Sequence, residues 1–341
     1  MKKNIFIENI NGNITSRPPV WFMRQAGRIL PSYLKLKQKY SFDEMMQNKE
    51  LAARVTLLPL DDLRVDAGIL FSDILVIPRA LGLELEFTAK GPKFHNPLDE
   101  NINIENLKFN PQKLDYIYNN IKEIKFQRPE TPLIGFCGGP LTTFLFMFRR
   151  NELNKDFNYV IKLFYKERKK CIKIMEMITE ASIEYVNKQV DCGIDCFQLF
   201  ETYCGIIPEQ LYTELILPYS KKILNVAMNK NCKTIFFPKN YNLGLKELNK
   251  DICDIASIDW QIPIETARTL LNSDIGIQGN MDPRLFFSDK KEIEKYLMGL
   301  SNFGKKNTDW IFNLGHGFIP GIDVKNVNFV VEWVKNHNWN R

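Results

Sequence analysis

The chain has 341 residues, of which 45% are hydrophobic, 25% charged and 12% aromatic, a balance that excludes disorder, collagen and coiled coil. The net charge of +6, from 46 Lys and Arg against 40 Asp and Glu, is too slight to mark a nucleic-acid binder. No run of about 18 apolar residues exists, so no membrane-spanning helix is expected.

At the N-terminus, Met1 to Thr15, the apolar stretch Ile5, Phe6 and Ile7 is broken by Glu8 and Asn9, too short for a secretory signal. A cytoplasmic location is the expectation. Short apolar runs then recur at Pro19 to Phe22, Ala67 to Phe71, Pro132 to Phe136, Cys196 to Phe200, Thr234 to Phe237, Ile255 to Ile258, Ile275 to Ile277 and Trp310 to Phe312. Continuous apolar runs of this length suit parallel strands covered on both faces. Between them lie helical patterns: Leu51 to Leu63, the long amphipathic Val160 to Ala181, and Val324 to Val334 with Val327, Val330, Val331 and Val334 on one stripe. The basic cluster Lys166, Arg168, Lys169 and Lys170 reads as a solvated helix face. Eight strands alternating with helices predict an α/β fold, a single (β/α)8 barrel domain over residues 1–341. A doubly wound open sheet is the alternative, but the Gly-rich phosphate fingerprint expected after its first strand is absent.

Chemistry should collect where each strand ends, since barrel enzymes keep their sites at that rim. After the first run come Arg24, Gln25, Ala26, Gly27 and Arg28. Two guanidiniums on one short loop can fork onto carboxylates or phosphates, or form a surface ion-pair loop. Asp73 follows the second run, as a loop cap or a catalytic anion. His316 sits between Gly315 and Gly317 after the last run, where function is the better reading than core packing. The seven cysteines form no tight framework, and Cys192, Cys196 and Cys204 have no histidine near them in sequence, so no metal site is expected.

These blocks carry a resemblance. Pro19-Val20-Trp21-Phe22-Met23-Arg24-Gln25-Ala26-Gly27-Arg28 with Leu30-Pro31 resembles the N-terminal signature of the uroporphyrinogen decarboxylases. Phe71-Ser72-Asp73-Ile74-Leu75, Gly135-Phe136-Cys137-Gly138-Gly139-Pro140-Leu141-Thr142, Asp259-Trp260, Gln278-Gly279-Asn280 with Asp282-Pro283, and Asn313-Leu314-Gly315-His316-Gly317 are similar to later blocks, in order. The resemblance implies a cofactor-independent barrel enzyme, a homodimer, that removes carbon dioxide from the four acetate side chains of uroporphyrinogen III to give coproporphyrinogen III in haem synthesis. It implies that Asp73 accepts the pyrrole N–H groups and stabilises a cationic intermediate, and that Arg24 and Arg28 position substrate carboxylates, one of them assisting proton transfer. It further implies that Gln25, Ala26 and Gly27 line the pocket through their backbone, and that His316, Thr202 and Phe146 contact substrate.

The chain departs from that pattern at Phe146, where the family has Tyr, at Leu141 for Trp, and at Thr202 for Ser. Asn240-Tyr241-Asn242 and Met147-Phe148-Arg149-Arg150 replace Gly-containing segments. Two other readings remain. One is a degenerate barrel that binds tetrapyrroles without catalysis, against which the retained Asp73 argues. The other is a methyltransferase of the same fold, which would need zinc held by His and Cys, a ligand set this chain lacks.

Overall fold

The computed structural model describes residues 4–27, 29–88, 91–101, 104–149 and 157–341. Its strands in chain order are β1 (Gly68–Ile69), β2 (Leu85–Thr88), β3 (Gly91–Phe94), β4 (Leu133–Gly138), β5 (Cys196–Glu201), β6 (Lys233–Pro238), β7 (Ile255–Ser257), β8 (Gly276–Met281) and β9 (Trp310–Leu314). All but β2 and β3 form one parallel sheet in the order β1-β4-β5-β6-β7-β8-β9. Its register sets Ile134 against Cys196, Phe197 against Thr234, and Ile277 against Trp310.

The first predicted strand closes this sheet. Val20 forms a parallel bridge with Phe312 of β9. Phe312 N–H donates to the Pro19 carbonyl at 2.9 Å, and on the other side Asp66 N–H, just before β1, donates to the Val20 carbonyl at 2.8 Å. Pro18 and Pro19 have no N–H to offer, so the contact stays a bridge rather than a ladder. Asp66 fixes the seam: Arg17 holds its carboxylate with two nitrogens at 2.7 and 2.8 Å, and Val20 N–H donates to it at 2.7 Å.

The eight runs therefore return as the eight walls of an α/β barrel. Its interior is packed, with a hydrogen-bonded layer at the centre. Trp21 Nε1 donates to Gln278 Oε1 at 3.0 Å, and Gln278 Nε2 donates to Ser257 Oγ at 2.9 Å and Gln198 Oε1 at 3.3 Å. All four residues are buried, and these bonds pair their polar groups with one another, apart from Gln198 Nε2, which has no partner among the described residues.

Two helices run close to their expected bounds, Lys49–Asp62 and Val324–Asn336. The second buries the Val327, Val330, Val331 and Val334 stripe. The predicted helix over Val160–Ala181 is instead two helices, Asn158–Lys166 and Arg168–Asp191. The break falls at Glu167, whose φ of −118° and ψ of 41° leave the helical region. The antiparallel pair β2–β3, absent from the sequence reading, lies outside the barrel sheet.

Candidate active site at the strand ends

The turn after the first barrel strand is held from inside. Gln25 is fully buried; its Oε1 accepts Phe22 N–H at 3.0 Å and its Nε2 donates to the Ala67 carbonyl at 2.9 Å. Asn313 of β9 accepts Met23 N–H at 3.1 Å. Between these clamps Arg24 takes a φ of +61°, a left-handed conformation that costs a residue with a Cβ about 1–2 kcal/mol. Strain of this kind persists only where the surroundings impose it, and it clusters at functional sites. Here it turns the Arg24 side chain out to solvent, across the backbone of Gly317.

A Cβ on Gly317 would stand 2.4 Å from Arg24 Cδ. Gly317→Ala is therefore expected to push the guanidinium aside and lower kcat/KM by about ten- to a hundredfold, the scale of a misplaced positioning group. Stability should barely change, because the obstructing atoms belong to a flexible exposed chain. Steady-state kinetics and a melting curve check this; a wild-type kcat/KM would show that the Arg24 position is immaterial.

Asp73 lies beyond β1 in a segment fixed by Phe71, whose N–H donates to Thr56 Oγ1 at 3.0 Å on the helix behind. Its Oδ1 accepts Leu75 N–H at 2.8 Å. The side chain is only partly open to the cleft, and desolvation raises its carboxyl from the ordinary 3.8 to about 6, against the pull of the Leu75 N–H and the Arg24 charge. The nearby Asp43 adds a smaller push in the same direction and is itself paired with Arg79 at 2.7 Å.

His316 stands after β9, with its ring edge-on to Phe237 at 6.2 Å and Trp260 at 6.0 Å. Burial first, then the Arg24 and Lys239 charges, hold it down to about 3, so the imidazole is neutral at physiological pH and offers one N–H. Lys239 follows β6 directly, its ammonium 5.3 Å from the Trp260 ring, while the Arg284 guanidinium lies 5.4 Å from that ring. The sequence analysis assigns Lys239 no role; a cation directly after a barrel strand is the signal that marks it.

The β5 strand ends on a buried carboxylate. Glu201 accepts N–H bonds from Leu141 at 3.2 Å and Thr142 at 2.7 Å, and the Thr142 hydroxyl also donates to it. It thereby caps the helix Pro140–Met147, where a negative charge meets the positive end of the helix dipole. Burial raises its carboxyl to about 7 despite these donors. Gly139 is required beside it, since a Cβ there would lie 2.5 Å from Glu201 Oε2. Glu201→Ala leaves these buried donors without an acceptor and should cost about 1–3 kcal/mol. Urea unfolding at pH 7 measures it, and an unchanged midpoint would remove the capping role.

The predicted site residues fall as follows. The Arg24 side chain crosses Gly317 and its charge acts on both Asp73 and His316, so the loops after the first, second and eighth barrel strands gather at one rim. Ala26 and Gly27 are half-buried in the same turn, while the Gln25 side chain is turned inward and leaves only its backbone for the cleft. Thr202 is half-buried in the turn after β5. Phe146, on the helix that Glu201 caps, is half-buried with the Arg149 guanidinium 5.6 Å from its ring. Arg28 lies outside the described residues. Among the described residues no three His, Cys, Asp or Glu side chains are grouped to hold a metal ion. The cysteines are unpaired, and burial pushes the Cys196 and Cys204 thiols well up.

A sequence model of the family described as Uroporphyrinogen decarboxylase (URO-D) matches residues 1–337. The chain is 35% identical to the uroporphyrinogen decarboxylase of Trichlorobacter lovleyi over 335 residues, covering 97% of this chain and 98% of that one. It is 34% identical to the Geobacter metallireducens protein of the same name over 334 residues, with the same coverage. Among solved structures, a methyltransferase from Methanosarcina mazei superposes with a TM-score of 0.74 at 18% identity over 98% of both chains. At that identity the likeness is one of fold.

Proposed function

The chain belongs to the uroporphyrinogen decarboxylase family, and from that premise we propose that its strand-end cleft removes the four acetate carboxyl groups of uroporphyrinogen III. The observation that supports this most is the partly desolvated Asp73 carboxylate beside Arg24, on the rim that also carries His316. A pyrrole acetate cannot lose carbon dioxide unless the electron pair of the breaking C–C bond has somewhere to go. Protonation of the ring creates that sink: the pair flows into the cationic pyrrole, carbon dioxide leaves, and a second proton converts the exocyclic carbon to methyl. An anion fixed in advance at the ring nitrogens stabilises the cation as it forms. Asp73 fills that role, with one oxygen held by Leu75 N–H and the other left for pyrrole N–H groups.

The substrate carries eight carboxylates, and the cleft meets them with cations. Arg24 and Arg28 clamp acetates and propionates, one of them assisting proton transfer, and the neutral His316 donates its N–H to a carboxylate across the rim. Thr202 and the backbone of Gln25, Ala26 and Gly27 line the cavity, and Phe146 supplies an apolar wall. No cofactor is assigned. The whole chain acts as one catalytic domain, as a homodimer in the cytoplasm, readings supported by family membership. Among the described residues no helix is long and apolar enough to cross a membrane.

Anaerobic incubation with uroporphyrinogen III, followed by oxidation and chromatography, tests the reading. Stepwise loss of four carboxyl groups without added metal is expected. Binding of the tetrapyrrole with no loss of carboxylate would leave a carrier instead.

A further inference from the structure

The turn Glu201-Thr202-Tyr203 sets a phenol in the wall of the cleft. Tyr203 N–H donates to Thr142 Oγ1 at 3.1 Å, and the same hydroxyl donates to Glu201, so the backbone at Tyr203 is tied to the capped helix. Its ring meets Phe146 edge-on at 5.7 Å and 72°, and Phe157 at 4.9 Å and 77°; those two phenylalanines meet each other at 6.0 Å. Three mutually edge-on rings form a rigid wall, since each aromatic edge faces a ring it attracts. Of the three, Tyr203 alone carries a polar atom, and it is only partly buried. The Arg149 guanidinium lies over the Phe146 ring beside it. Burial raises the Tyr203 phenol and keeps it protonated, against a smaller downward pull from the nearby Arg149 and Arg24 charges.

A protonated phenol near guanidiniums donates well to a carboxylate, because the cations attract the anion and the hydroxyl fixes its orientation. We propose that the Tyr203 hydroxyl donates a hydrogen bond to a substrate carboxylate near Arg24 and Arg149, and so helps to set which side chain of an anionic tetrapyrrole enters this side of the cleft. This rests on the decarboxylase reading of the site. The bond forms to a carboxylate that is already present in the ground state, so its loss appears mainly in KM.

The test separates hydroxyl from ring. Tyr203→Phe keeps the aromatic wall and should raise KM about ten- to a hundredfold with kcat changed far less, the scale of a hydrogen bond to a charged group. Returning a hydroxyl to the adjoining ring, in the double variant Tyr203→Phe with Phe146→Tyr, should recover part of that loss. Tyr203→Leu, which removes the ring as well, should lower both kinetic constants. A purely structural Tyr203 gives a different pattern: Tyr203→Phe behaves as wild type and only Tyr203→Leu fails, and that result overturns the proposal. A raised KM in Tyr203→Phe with no recovery in the double variant overturns it too. Asp73→Asn run alongside distinguishes the two failures. If Asp73→Asn is also fully active, the assignment of the cleft has failed; if it is inactive while Tyr203→Phe is unaffected, only the role of Tyr203 has.

Discussion

Asp73→Asn is expected to abolish most activity and, at neutral pH, to make the protein more stable. The swap is nearly isosteric, and the amide oxygen can still accept Leu75 N–H, so the loop should keep its shape. What it loses is the negative charge aimed at the developing cation, and removing one such group costs about 10²–10³ in rate, roughly 2.7–4 kcal/mol. The stability gain follows from linkage. The folded carboxyl titrates near 6 rather than 3.8, so between those values the folded state holds a proton that the unfolded state has released. Stability therefore falls as pH rises through that window, and at pH 7 the ionised side chain costs up to about 3 kcal/mol, less for the part open to water. Asparagine carries no such cost. Melting curves of the two proteins should differ at pH 7 and draw together toward pH 4, while kcat/KM of the wild type should turn down below about pH 6. A folded variant that turns over near the wild-type rate would falsify the electron-sink role; equal stability across the pH range would mean that Asp73 is fully solvated.

How far the sequence reveals this protein depends on the kind of signal each part leaves. The barrel strands are legible because burial on both faces produces uninterrupted apolar runs, and every run falls on a strand or on the closing bridge. The hairpin β2–β3 left a signal as well: Leu83, Leu85 and Phe87 alternate with Glu84 and Glu86, the period of a strand with one buried face. The helix break at Glu167 left none, since Lys166, Glu167 and Arg168 carry no glycine or proline and continue the amphipathic pattern. In the cleft, Arg24, Asp73 and His316 stand out because they follow strands directly. Gln25 shows the limit of that rule. The resemblance implies that its backbone lines the pocket but leaves the side chain open; that its amide pairs with the nearby Phe22 and with Ala67, 42 residues on, is set by the tertiary fold. Lys239 carries that same strand-end signal, whereas Tyr203 belongs to no recognisable motif, and only the folded rim brings it near Arg24.

Replacing Arg24 with Ala and, separately, with Gly should give two variants equal in function and unequal in stability. Both lose the guanidinium, so both should bind uroporphyrinogen III about ten- to a hundredfold more weakly, as expected for a charge-assisted contact of roughly 1.5–3 kcal/mol. The wild-type affinity should weaken with added salt, and the variants should respond less steeply, because one charge pair is gone. Two other groups in the cleft report the same loss. The Arg24 charge pulls the Asp73 carboxyl down, so its removal should move the acid limb of kcat/KM to higher pH, and His316 should become easier to protonate. Stability separates the pair. At a φ of +61° alanine keeps the Cβ strain and glycine does not, so glycine gains about 1–2 kcal/mol in the folded state and returns about 0.5–1 through the greater freedom of its unfolded chain. Arg24→Gly should therefore be the more stable by up to about 1.5 kcal/mol, provided Gln25 and Asn313 still impose the turn. Equal melting points would mean that the turn relaxes once the arginine is gone, and that the strain at Arg24 is held in place by the side chain rather than by the clamps around it.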